Sequence, residues 1–71
     1  MATSTLAPAK SLAHIKVRVH GCTASAQVKS GNKVLYRSRD DWDNYGNGYL
    51  AVRECRLWAD SNRVSITEVR A

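Results

Sequence analysis

The hydrophobic repeat of this chain changes twice, and those changes restrict the folds open to it. Over residues 14–20 apolar and polar side chains alternate, with Ile15, Val17 and Val19 on one face and His14, Lys16, Arg18 and His20 on the other. A period of two is the mark of a half-buried strand. Gly21 ends it, and residues 23–29 alternate again with Ala24, Ala26 and Val28 on the apolar side. Small residues there leave room for a packed helix. Ser30-Gly31-Asn32-Lys33 reads as a hairpin turn, because Gly31 and Asn32 tolerate positive φ. Residues 34–39 form a third strand whose register depends on the turn: Val34 and Tyr36 face inward, or Leu35 does. The first is favoured, because the second would turn Arg37 and Arg39 toward the core.

Past Gly46 and Gly48 the period becomes helical. Across residues 49–61 Leu50, Ala51, Cys55, Leu57 and Trp58 make a broad apolar arc opposite Arg53, Arg56 and Asp60. Asn47 is the expected N-cap, and Asn62 the expected left-handed residue beyond the last turn. Residues 63–69 return to alternation, with Val64 and Ile66 inward. The resulting β-β-β-α-β order predicts an α+β fold in two layers: a four-stranded, mainly antiparallel sheet with one helix packed on one face. A right-handed crossover makes the last strand parallel to the first and gives the spatial order 3-2-1-4. The expected core is Ile15, Val17, Val19, Ala26, Val28, Tyr36, Leu50, Cys55, Trp58, Val64 and Ile66.

With 71 residues the chain reads as a flexible tail over 1–12 and a single domain over 13–71. So thin a core leaves homodimer formation open, through a sheet edge or the bare sheet face. No apolar run approaches the roughly 20 residues of a membrane span, and no secretory signal core is present, so a cytoplasmic protein without membrane contact is expected.

Chemistry-bearing patterns are sparse. Cys22 and Cys55 fall short of a four-ligand zinc site, and His14 and His20 do not supply the usual paired spacings. Both thiols are expected to be reduced and mostly buried. In an EF-hand frame starting at Asp41, positions 1, 3 and 6 match as Asp41, Asp43 and Gly46. Position 5 is Tyr45 and position 12 is Val52, so the bidentate glutamate is missing. No nucleophile motif or phosphate-binding glycine loop is present. The chain is therefore expected to be no enzyme and to use no metal or cofactor.

Two surfaces remain. The chain carries a net charge of +5, yet three of its six acids lie in the stretch DDWDNYGNGY. Aromatics with Asn, Gly and Asp are the materials of recognition surfaces. This assigns Asp40, Asp41, Trp42, Asp43, Tyr45 and Tyr49 to a protein contact, anchored by Trp42 and Tyr45. The alternative is that Trp42 folds back over an open end of the core. The second surface is the sheet face away from the helix, which would carry His14, Lys16, Arg18, His20, Gln27 and Lys29. There Lys16, Arg18, Lys29, Arg37 and Arg39 form the candidate DNA- or RNA-binding set.

The hairpin at Ser30-Gly31-Asn32, the single helix through Arg53-Glu54-Cys55-Arg56 and the closing strand cover residues 13–69. Their arrangement resembles small phage-encoded inhibitor proteins, anti-CRISPR proteins among them. The resemblance implies a non-enzymatic inhibitor or adaptor that occupies a site on a host protein or nucleoprotein complex. Many such inhibitors are acidic mimics of nucleic acid. This chain is basic, which points instead to an acidic target surface. It is also similar to DNA-binding domains built from a three-stranded sheet and a helix, which read DNA with the sheet. The fourth strand and the lack of stacking aromatics on that face depart from this second pattern.

Overall fold

The computed structural model describes residues 11–71. Their order is β1 (Ser11–His20), β2 (Thr23–Ser30), β3 (Lys33–Arg37), β4 (Trp42–Asp43), α1 (Tyr45–Ser61) and β5 (Val64–Arg70). Strand β1 starts earlier than the alternation suggests, because Ser11 and Leu12 pair with Val64 and Ser65 of β5. The rest of the tail expected over residues 1–12 lies outside the described residues.

The sheet runs β3-β2-β1-β5, with β1–β2 and β2–β3 antiparallel and β5 parallel to β1. That is the expected order and the expected parallel pair. The fold is α+β, one helix against a mixed sheet of five strands. The additional strand comes from the acidic aromatic stretch. Ser38 still bonds Ala26 of β2, and Trp42 and Asp43 then pair with Ala24 and Thr23. Strands β3 and β4 are thus two halves of one edge strand along β2, interrupted by a charged bulge at Arg39, Asp40 and Asp41. A bulge and charges are common ways to blunt a sheet edge against unwanted pairing.

The core forms where the three apolar stripes meet: Ala13, Ile15 and Val17 of β1, Ala24, Ala26 and Val28 of β2, and Ala51, Cys55 and Ala59 of α1. The helix stripe is made of small residues, so the helix axis can lie close to the sheet. Val19, expected inside, is 51 % exposed, because the helix begins over Val17 and does not reach it. Leu50 lies beside the packed stripe and, with Trp42 and Leu57, lines a small cleft of about 130 Å³. In β3 a bulge after Val28 pairs Tyr36 with Val28 but Val34 with Lys29. Leu35 and Tyr36 therefore both pack on the core, whereas Val34 shares the outer side with Lys29.

Two helix-end expectations are corrected. Asn47 is not a cap: Gly46, Asn47 and Gly48 make a left-handed turn with φ of 62°, 56° and 87°. The right-handed helix follows it from Tyr49. At the other end Asn62 has φ −110° and donates its side-chain N–H to Trp58 O, while the left-handed residue is Arg63 at φ 57°. The thiols also differ from expectation. Cys55 is buried, but Cys22 is exposed in the β1–β2 turn. Burial, helped by the charge of Glu54, pushes the Cys55 thiol up to about 11.

Candidate functional site

The acidic aromatic stretch is pinned down by the helix. Glu54 of α1 accepts the Tyr36 hydroxyl at Oε2 (2.5 Å), and at Oε1 both the Trp42 indole N–H (2.8 Å) and the Arg39 backbone N–H (3.2 Å). One carboxylate therefore fastens both halves of the broken edge strand and the bulge between them. Its burial works against its charge. The Tyr36 and Trp42 hydrogen bonds, with Arg39, outweigh that and hold Glu54 below the usual carboxylate range. Tyr36 stacks on Trp58 at 5.0 Å between ring centroids. The Arg39 guanidinium sits 4.5 Å over the Trp42 ring and pairs with Asp41 at 2.9 Å. That pairing lowers Asp41 from its ordinary value.

Trp42 thus lies half-buried against the core, with its N–H committed to Glu54. Asp43 accepts the Tyr45 backbone N–H at 2.7 Å. Asn44 ties the stretch to the β1–β2 turn, donating from its side chain to Gly21 O and from its backbone to Cys22 O. Asp40 remains exposed, and the two tyrosines project furthest, Tyr45 at 73 % and Tyr49 at 56 % exposure.

The sheet face away from the helix is mostly polar and basic, with Val34 and the exposed Leu12 toward its edges. The register aligns Arg37 of β3, Gln27 of β2, Lys16 of β1 and Arg70 of β5 in one row across four strands. Beside this row Lys29 lies opposite His14, Arg18 opposite Ser25 and His20 opposite Thr23. Lys16, Arg18, His20, Gln27 and Lys29 border an open depression of about 580 Å³. Among the described residues, acids reach this face at its margins. Asp43 stands at one corner across from Thr23, and Glu68 on β5 is ion-paired with Arg70.

Four of the five cations expected on this face are there: Lys16, Arg18, Lys29 and Arg37. Arg39 is not. It follows the end of β3 and is turned onto Trp42, beside the helix. Arg70, outside the expected set, joins the face opposite Lys16. Its place depends on the bulge in the β1–β5 pairing between Ala13 and Ile15, which no local pattern announces. Among the described residues no three His, Cys, Asp or Glu side chains converge as a metal site would need, and no helix is long and apolar enough to cross a membrane. No family model matches the chain, and no similar curated protein or solved structure is found.

Proposed function

We propose that this protein is a non-enzymatic nucleic-acid-binding module that contacts phosphates with the uncovered face of its sheet. The observation that carries this reading is the cation array on that face. Lys16 and Arg37 stand in the row through Gln27 with Arg18 and Lys29 beside it, while Asp41 of the bulge and Glu54 of α1 lie toward the helix layer. Phosphate contact releases condensed counterions, and each cation engaged adds to the salt dependence. Two to four such contacts would give a log–log salt slope of about −1.8 to −3.6, or roughly 10- to 150-fold weaker binding between 50 and 200 mM salt. The test is fluorescence anisotropy with labelled oligonucleotides over that range. The double variant Lys16→Glu/Arg18→Glu should abolish measurable binding, and Arg53→Glu on the helix should change it little. Binding that is absent, or that ignores salt, would remove this reading.

A second reading draws on the exposure of Tyr45 and Tyr49 in a stretch held rigid by Glu54 and Asn44. Rigid aromatics bind with little loss of conformational entropy. They would suit contact with a host protein or nucleoprotein complex, as the likeness to small phage-encoded inhibitors implies. The corresponding variant is Tyr45→Ala/Tyr49→Ala, compared with wild type in affinity capture after nuclease treatment. A protein retained by wild type and lost by the variant supports this reading. Identical capture by both rules it out.

A further inference from the structure

The transverse row narrows the nucleic acid to one form; this inference rests on the phosphate-binding reading above. Neighbouring strands lie about 4.8 Å apart, so the row from Arg37 on β3 to Arg70 on β5 spans roughly 14 Å, and the inner β2–β1 pair roughly 5 Å. The major groove of B-DNA is about 12 Å wide and 8.5 Å deep, and it admits a two-stranded ribbon. The inner pair fits between the groove walls, and the two ends of the row overhang them. Gln27, Lys16 and Arg18 are on the inner strands. Gln matches the adenine N6/N7 edge, and Lys and Arg match guanine O6/N7. The end residues, Arg37 and Arg70, are the ones that would meet phosphates.

We infer that the uncovered face docks in the major groove of duplex DNA, with Gln27, Lys16 and Arg18 toward base edges and Arg37 and Arg70 on the flanking phosphates. A-form duplex RNA is a poor fit, because its major groove is too deep and narrow for side chains to read. Single strands are poor ligands for a different reason. Among the described residues no Tyr or Trp stands on this face, and stacking on such rings supplies much of single-strand affinity. Glu68 is the opposing element. It holds Arg70 through Nε at 2.8 Å and also contacts its Nη2, and its own charge faces the phosphates.

The experiment compares one short sequence as duplex DNA, duplex RNA and single-stranded DNA, by competition anisotropy with the full chain. Duplex DNA is expected to bind about tenfold or more tighter than either alternative, the scale of one good base-edge contact. Replacing purines by 7-deazapurines, which removes only the major-groove N7 acceptor, should weaken binding. Glu68→Gln should strengthen it several-fold by freeing Arg70. Gln27→Ala should keep the salt slope while losing discrimination between A·T-rich and G·C-rich duplexes. Equal affinity for duplex RNA, or indifference to 7-deazapurines, overturns the groove inference while phosphate binding stands. If no nucleic acid binds, both fall together.

Discussion

Replacing Gly48 by alanine is expected to destabilise the fold by about 3 kcal/mol, on two grounds that add. Gly48 has φ +87°, a left-handed conformation that costs an L-residue about 1–2 kcal/mol. It is also the point where the start of the helix touches the sheet. A Cβ there would lie 2.7 Å from Val17 Cγ1 and 3.3 Å from Ala24 Cβ, and overpacking of this kind typically costs about 1–3 kcal/mol. A domain this small holds on the order of 5 kcal/mol in total. The expected drop in melting temperature is therefore more than about 12 °C. Gly31→Ala provides the control. Its φ is +60° but nothing lies within 4 Å of the new Cβ, so only the backbone contribution applies. Equal losses for the two variants would mean that the helix does not rest on Val17 at Gly48.

Glu54→Ala should be the next most damaging change, at about 2–3 kcal/mol, because three donors lose their acceptor together. Glu54→Gln should cost about 1–2 kcal/mol, since it keeps the shape and one acceptor oxygen but turns an N–H₂ toward other donors. The pH dependence follows from the directions of the shifts. Glu54 lies below its ordinary value in the folded state. Its contribution is therefore fully present above the unfolded glutamate range near pH 4.3 and is lost as pH falls through the lower folded value. Tyr36 is shifted upward by its bond to Glu54, so its share is present below about pH 10 and is lost above that. Urea unfolding of wild type and Glu54→Gln at several pH values should give a difference that is constant near neutrality and shrinks below about pH 4. Asp41 and Glu68 are also shifted downward by Arg partners, and they contribute equally to both proteins, so the difference isolates Glu54. A difference that did not shrink in acid would show that Glu54 acts through shape and not through charge.

Both variants concern the joint between helix and sheet, and that joint is where sequence and structure part. The alternation of Ile15, Val17, Ala24, Ala26 and Val28 and the helical arc around Ala51 and Cys55 are properties of chain geometry. A strand repeats every two residues and a helix every 3.6 whatever they pack against. The order of the helix and the four longer strands, the parallel β1–β5 pair and most of the basic outer face followed from those periods and from the handedness of the crossover. Ala51 and Cys55 of the helical stripe were legible, whereas Leu57 of the same arc is 58 % exposed and Ala59, outside it, is buried.

What depended on contact between distant segments was not legible. Bulges after Val28 and after Ala13 moved Val34 outward and brought Arg70 beside Lys16, and a one-residue slip reverses every side chain beyond it. The sequence leaves Trp42 open between a protein contact and a fold back over the core, and nothing local reveals that Glu54, twelve residues on, accepts its indole N–H. The tryptophan of the acidic aromatic stretch became part of the helix–sheet joint and its tyrosines stayed outside. Periodicity decided which faces exist. Register and three hydrogen bonds to one carboxylate decided which residues stand on them, because both are set by pairs of segments whose separation in sequence carries no information about their separation in space.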